Sequence, residues 1–220
     1  MQFIRRMSAY PPMAAESQQF PDTRFGPIAD IAVLSLRRHT VGMSVIVIPY
    51  NPDWEIAFER EAKAIGSALS DVRIVLHHIG STAIPGILAK PIIDILGVVD
   101  DVGELDLHSA SMGDLGYEVM GKFGIEGRRY FRKFDATGRR THHLHVFTQG
   151  SPHVERHLAF RDFLRSNPEK AAAYSSLKAS ITSGEATSWD NYMDAKESFI
   201  AETEQAAVAW YRVETRHGER

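Results

Sequence analysis

One apolar segment constrains the fold of this chain more than any other. Residues 92–99 are hydrophobic on both alternating faces, apart from the single carboxylate of Asp94. A strand with two apolar faces lies inside a sheet that is covered on both sides. The sequence therefore predicts a covered sheet with a carboxylate in a central strand. An ionised carboxylate in that setting needs a cation or hydrogen-bond donors beside it.

The surrounding segments alternate between helix and strand patterns. Asn51-Pro52 is typical of a helix start, and an apolar stripe then recurs at spacings of three and four up to about residue 69. The predicted strands are 45–48, 72–79, 92–99, 117–119, 129–134 and 142–147. The later predicted helices are 104–115, 154–165, 169–183 and 189–211. This order predicts an α/β domain with a mixed β-sheet, flanking helices and a helical C-terminal part.

The N-terminal residues differ from the rest of the chain. Residues 1–42 hold four of the ten prolines, at positions 11, 12, 21 and 27, and one short apolar patch. We interpret them as a poorly ordered leader or as the result of a start codon assigned too far upstream, and the alternative is an arm that docks on the domain. The domain itself is predicted to span residues 43–212, with a tail at 213–220.

Composition excludes several classes of protein. The chain has no cysteine, so it has no disulfide framework, thiolate nucleophile or cysteine-ligated zinc. Its formal net charge of -3 provides no broad positive field, and nucleic acid is not expected as a partner. Its apolar runs are far shorter than the roughly 18–20 residues of a membrane span, and residues 11–18 are not those of a secretory signal. A cytoplasmic location without membrane contact is therefore expected.

A turn rich in small residues precedes the central strand. Gly80, Ser81 and Thr82 follow a predicted strand, and backbone amides and hydroxyls in such a turn can face a phosphate. Lys90 and Asp94 come next, which adds a cation and then a carboxylate suited to a hard divalent metal ion. Two plainer interpretations stay open. In the first, the turn is an ordinary connection between a strand and a helix. In the second, Asp94 lies near a strand end and accepts hydrogen bonds from loop amides.

A later strand offers two histidines on one face. Alternation places His143 and His145 on the same side, with the spacing of metal ligands or of groups that transfer protons. Hydrogen-bonded or surface histidines are the alternative. His153 and His157 also lie four residues apart, but no metalloprotease pattern accompanies them, and we interpret them as part of a solvated helix face.

The strongest local positive run is 128–133. Within it, Arg129 and Arg132 are candidates for binding phosphate, because guanidinium groups contact phosphate oxygens in pairs. Alternation sends these two side chains to opposite faces of a strand. Solvated charge on an edge strand is the alternative interpretation.

Several of these motifs together resemble a known family. A Gly-Ser turn after a strand, followed by an Asp on the next strand, resembles the nucleotidyltransferase superfamily. The longer string IGSTAIPGILAKPIIDILGVV is similar to the GrpB family within it. The resemblance continues through residues 127–133, 141–146 and 157–164, and it covers about 45–208.

The resemblance implies a nucleotidyltransferase-like fold in which Gly80 and Ser81 hold nucleotide phosphates and Asp94 binds a metal ion. The superfamily uses a second carboxylate two residues later, whereas position 96 here is Leu. His143 and His145 are candidate replacement ligands for Mg²⁺ or Mn²⁺, and His145 is also a candidate base. Arg132 would stabilise developing charge.

Three functions therefore stay open for this chain. The first is metal-dependent transfer of a nucleotidyl or phosphoryl group from a nucleotide, or another phosphorylated compound, to a small molecule. The second is a module that binds a nucleotide or coenzyme without transforming it. The third is a metal-dependent phosphohydrolase that uses His143 and His145.

Overall fold

The computed structural model describes residues 45–183 and 188–218. The leader predicted for 1–42 lies outside these residues. The strands are β1 (Ile74–Ile79), β2 (Ile93–Val99), β3 (Tyr117–Val119), β4 (Arg129–Phe134) and β5 (Arg140–Thr148). The α-helices are α1 (Asp53–Ala68), α2 (Ser109–Asp114), α3 (Pro152–Ser166), α4 (Pro168–Thr182) and α5 (Trp189–Gly218). Short 3₁₀ turns at Ser81–Ala83 and Glu104–His108 complete the described elements.

The five strands form one mixed sheet. Their order is β1-β2-β5-β4-β3, with β2 parallel to β5 and each other neighbouring pair antiparallel. β2 and β5 are therefore central strands, as the two apolar faces of β2 predicted. The predicted α/β class, with a mixed sheet, flanking helices and a helical C-terminal part, is confirmed.

Helices cover both faces of the sheet. On one face, Trp54 and Ile65 of α1, and Leu69 directly after it, pack with Ile95 and Leu144 in the main hydrophobic core. On the other face, a smaller cluster forms around residues from three strands and is covered by α3. Its buried members are Ile79, Leu96 and Phe147. We call this second side the cavity face, because it carries the candidate site described below.

The C-terminal helices close over one end of the cavity face. Phe160 and Leu164 of α3, Tyr174 of α4 and Ile200 of α5 are buried together with Ile84, which follows the first 3₁₀ turn. This cluster binds the helices to the loop between β1 and β2. The helical C-terminal part is therefore packed on the loop that contains the Gly-Ser turn.

Two predicted boundaries were wrong. The strand predicted for 45–48 is a single bridge, in which Ile48 and Ala89 exchange two backbone hydrogen bonds of 2.9 Å, because the segment it meets is not itself a strand. The tail predicted for 213–220 is largely the end of α5, which continues to Gly218. Arg212 binds Glu155 of α3 through two hydrogen bonds of 2.8 and 2.7 Å, which holds this last part of the helix against its neighbour.

Candidate functional site

A cavity opens between the cavity face, the Gly-Ser turn and the C-terminal helices. Residues from almost every predicted motif meet there, although they come from six separate parts of the chain. Its polar lining includes Ser81, Thr82, Lys90, Asp94, His143, His145, His157 and Lys196, and its aromatic lining includes Phe160, Tyr174 and Tyr192. The cavity is the candidate site, since it combines cations, metal-binding groups and a polar turn.

Gly80 allows the turn to pass close to the central strand. Its φ of 68° and ψ of -170° define a backbone conformation that is essentially restricted to glycine. A Cβ atom at this position would collide with the carboxylate of Asp94. The glycine is therefore needed both for its backbone angles and for the close approach of the two motifs.

Contacts from two other elements hold the turn in place. The carbonyl oxygen of Ala83 accepts a hydrogen bond of 2.7 Å from Arg165 of α3. The hydroxyl of Thr82 donates to the carbonyl oxygen of Ile92 at 3.2 Å and lies 3.0 Å from Nε2 of His78. Thr82 is buried, and its hydrogen bond fixes the turn to the residue that precedes β2. It also lines the cavity, and its contact with phosphate stays a prediction.

Asp94, His143 and His145 meet on the cavity face. The parallel register places Asp94 opposite His143, and Oδ1 of Asp94 lies 3.1 Å from Nδ1 of His143. One ligand atom from each of the three residues lies within 4.8 Å of the other two. Both histidines are buried, whereas the Asp94 side chain is 30% exposed, so the group can be reached from the cavity.

This group could hold a divalent metal ion. Nε2 of His143 is buried and has no hydrogen-bond partner within the described part of the chain. A buried polar atom of this kind is costly unless a ligand satisfies it. Two imidazole nitrogens and one carboxylate suit Mn²⁺ or another transition ion better than Mg²⁺, which prefers oxygen ligands.

Leu96 occupies the position where the superfamily pattern has a second carboxylate. Its side chain is completely buried, with a relative exposure of 0%, and packs with Ile79 and Phe147. The neighbouring strand places His145 directly opposite it. Leu96 is therefore part of the core, and the only other metal-binding side chains that reach Asp94 in residues 45–183 and 188–218 are the two histidines.

Three lysines from separate parts of the chain lie in or beside the cavity. Lys90 precedes β2, Lys178 belongs to α4 and Lys196 belongs to α5; we call them the lysine cluster. Nζ of Lys178 donates a hydrogen bond of 3.1 Å to Oγ of Ser81. Lys90 and Lys196 line the cavity, and their ammonium groups lie 5.0 and 4.2 Å from the ring centre of Tyr192. Such a cluster suits a ligand with several negative charges.

Sequence reasoning found only one member of this cluster. Lys178 and Lys196 were missed because lysines on helices are usually solvated. A signal was present, since Tyr174 and Lys178, and likewise Tyr192 and Lys196, lie four residues apart on their helices. Residues at that spacing share a helix face, so each lysine falls on an apolar stripe that packs inward.

The interpretation of the His153 and His157 pair as a solvated helix face was wrong. His157 is only 3% exposed, lines the cavity, and has its ring centre 5.8 Å from that of His145. Burial, followed by the nearby charge of Arg156, lowers the pKa of His157 well below its usual value. A neutral imidazole therefore lies behind His145. α3 packs this face on the sheet, and the residue spacing within the helix alone did not reveal that contact.

Arg129 and Arg132 do not line the cavity. Arg129 makes two hydrogen bonds of 2.6 Å to Asp106, and Arg132 makes two of 2.7 and 3.0 Å to Glu118. Both guanidinium groups are thus paired with carboxylates of neighbouring elements, away from the Gly-Ser turn. Their predicted role as phosphate ligands is not supported by this placement.

Arg132→Ala is expected to leave ligand binding in the cavity unchanged. The ion pair that it removes is at the surface, so the free energy of unfolding should fall by at most about 1 kcal/mol. Thermal unfolding with and without a bound nucleotide measures both quantities. A nucleotide-dependent stabilisation that disappears in this variant would return Arg132 to the site.

The motifs that meet in this cavity lie within the part of the chain that matches known proteins. The family model described as "GrpB protein" matches residues 44–206. The chain belongs to the GrpB family. A solved GrpB structure from Enterococcus faecalis is 41% identical and has a TM-score of 0.71, and the match covers 76% of this chain and 99% of that one.

Two curated relatives match this GrpB protein over different shares of their own lengths. UPF0157 protein BH1888 of Halalkalibacterium halodurans is 34% identical over 200 residues, which cover 90% of this chain and 99% of that protein. UPF0157 protein YqkA of Bacillus subtilis is 39% identical over 166 residues, which cover 76% of this chain. The matched part spans only 48% of YqkA. The similarity to that relative therefore concerns about half of its length.

Within the two described ranges, no helix combines the length and the apolar character that crossing a membrane requires.

Proposed function

We propose that this GrpB protein binds a nucleotide, or another phosphorylated small molecule, in the cavity and transfers a nucleotidyl or phosphoryl group with the help of a divalent metal ion. One observation carries the proposal. The possible metal-binding group of Asp94, His143 and His145 lines the same cavity as Lys90 and Lys196, and the Gly-Ser turn lies against Asp94 and accepts a hydrogen bond from Lys178. A phosphate chain is the common ligand that needs a metal ion and several cations at once.

Each side of the cavity has a distinct part in the proposal. Ser81, Lys90 and Lys196 hold the phosphate oxygens, since they line the cavity next to the turn. Asp94, His143 and His145 would hold Mn²⁺ or Mg²⁺, which would neutralise charge on the phosphate that reacts. The ring of His145, on β5, packs near the ring of the neutral His157 on α3. This contact would keep His145 in a fixed orientation as a ligand or as a base.

A second candidate function is binding without catalysis. The observation that favours it is the burial of Leu96, because two-metal phosphoryl transfer uses at least two carboxylates. In that case the same cavity holds the ligand, and no bond is made or broken. Phosphate release from a bound compound, the third function, would use the same metal-binding residues.

A binding screen followed by a turnover assay tests the proposal. The purified full chain is heated with nucleoside triphosphates and coenzyme A precursors, with Mn²⁺, with Mg²⁺ or with EDTA. A ligand present at about 100 times its Kd stabilises the folded state by about 2.7 kcal/mol. This corresponds to a rise in Tm of about 5–10 °C for a domain of this size. Products are then followed by phosphorus NMR.

Asp94→Asn is expected to abolish the metal-dependent rise in Tm and any turnover. The change keeps the size of the side chain but removes the negative charge that attracts the metal ion. Asp100→Asn is the matched control, because Asp100 is exposed just beyond the other end of β2. Binding without turnover would favour the non-catalytic module, and phosphate release would favour the hydrolase. A metal-dependent shift that survives in Asp94→Asn would contradict the proposed site.

A further inference from the structure

Lys178 is a lysine whose side chain is buried without an acidic partner. It lies on α4 with a relative exposure of 1%. Its ammonium group donates to the hydroxyl of Ser81 at 3.1 Å and lies 4.1 Å from the ring centre of Tyr174. Within residues 45–183 and 188–218, no carboxylate lies within ion-pairing distance of it. A buried charge without an anionic partner is costly.

The groups that face Lys178 make its charge still less favourable. Lys196 and Tyr192 approach from α5, Lys90 approaches from the segment before β2, and Tyr174 belongs to its own helix. Burial raises the pKa of Tyr174, and the charge of Asp94 adds to that rise. Burial, followed by the charges of Lys196 and Lys90, lowers the pKa of Lys178 to about 6. Lys178 is therefore mostly neutral at pH 7.5 when the cavity holds no anion.

A bound phosphate chain would reverse this balance. Ser81, the hydrogen-bond partner of Lys178, lines the cavity beside Lys90 and Lys196. Negative charge on the other side of Ser81 favours the protonated form of Lys178, because opposite charges a few ångströms apart attract strongly in a site with little water. The pKa of Lys178 then rises above that of the empty protein.

We propose that an anion of two or more contiguous phosphates binds in this cavity together with one proton, which Lys178 takes up. The inference rests on the proposed function for its ligand class, since it assumes that phosphates occupy the cavity. It adds a coupling that is independent of the metal-binding group: Lys178 is uncharged in the empty protein and charged in the complex. Orthophosphate, with a single phosphate, brings less negative charge next to Ser81 and is therefore expected to bind with less coupling.

The sign of the pH dependence follows from the two states. Below about pH 6 Lys178 is charged in both the empty protein and the complex, so binding takes up no proton. Above about pH 6 only the complex holds the proton. The affinity therefore falls as the pH rises, by up to about tenfold per pH unit, until the pKa of Lys178 in the complex is reached.

Calorimetry with inorganic tripolyphosphate tests the inference. The full chain is titrated in EDTA at pH 7.5, in buffers with different ionisation enthalpies, so that the number of protons taken up follows from the observed heat. Lys178→Met removes the titrating group and replaces a buried amine by an apolar side chain of similar length, so the variant should fold. Lys170→Met is the matched control, because Lys170 lies on the same helix with its side chain 45% exposed.

The unaltered chain and Lys170→Met are expected to take up about 0.5–1 proton more per bound tripolyphosphate than Lys178→Met does. The ligand's own titration is the same in all three proteins and cancels in this difference. Equal proton uptake in Lys178→Met, or no binding of tripolyphosphate to the unaltered chain, would overturn the inference. Failure of the proposed function is a separate result, because it concerns metal-dependent binding through Asp94 and not metal-free binding.

Discussion

Leu96→Asp is expected to lower the free energy of unfolding by about 3–5 kcal/mol. The substitution would create the pair of carboxylates, two residues apart, that the resemblance to nucleotidyltransferases leads one to expect. In this fold, however, the side chain at position 96 is fully buried and packs with Ile79 and Phe147. A carboxylate there loses both its hydration and the packing of a large apolar side chain. Denaturant titration followed by tryptophan fluorescence measures the change.

Leu107→Asp is the matched control for this experiment. Leu107 is 85% exposed, so the same substitution should change stability by no more than about 0.5 kcal/mol. A Leu96→Asp variant that is as stable as the control, and that gains metal-dependent turnover, would show that position 96 can serve as a ligand. The single-carboxylate account of the site would then be wrong.

Gly80→Ala is expected to lower the free energy of unfolding by about 2–4 kcal/mol and to abolish ligand binding. An alanine adopts the backbone angles of Gly80 only at a cost in free energy. Its Cβ atom would also collide with the carboxylate of Asp94. Relief of the collision requires that either the turn or the carboxylate moves away. Both are needed for the proposed phosphate and metal contacts, so stability and binding should fall together.

Gly86→Ala separates the two causes. Gly86 also has a positive φ, of 82°, but nothing lies within 4 Å of the Cβ position. This control should lose only the conformational contribution, about 1–2 kcal/mol, and should keep its ligand-dependent rise in Tm. If the two alanine variants lose the same stability and both bind ligand, then the close approach of Gly80 to Asp94 does not matter for the site.

A single carboxylate with two histidines changes the chemistry that this GrpB site can support. The ligand set has one negative charge, whereas a pair of carboxylates has two, so it attracts a hard ion such as Mg²⁺ less strongly. In the proposed complex, the lysine cluster would neutralise phosphate charge without a second metal ion. We therefore expect activity, where it occurs, to depend on one metal ion per chain, which metal titration of the thermal shift can count.

Part of the site could be predicted from short stretches of sequence. The Gly-Ser turn directly follows β1 and Asp94 lies on the next strand, and His143 and His145 share one face because strand side chains alternate. These relations depend only on neighbouring residues, and the antiparallel pairing of β1 with β2 brings Ile79 opposite Asp94. The meeting of Asp94 with His143 also needed the parallel register of β2 and β5, which local pattern does not specify.

The sequence by itself determined the α/β class, the central position of β2, the turn before it and the family to which the chain belongs. Only the tertiary structure brought Lys178 to Ser81, across 97 residues, and buried His157 behind His145. It also paired Arg129 and Arg132 with carboxylates away from the cavity. The physical reason is that local backbone preference and side-chain periodicity define elements and their faces, whereas the contacts between faces depend on how distant helices pack on the sheet.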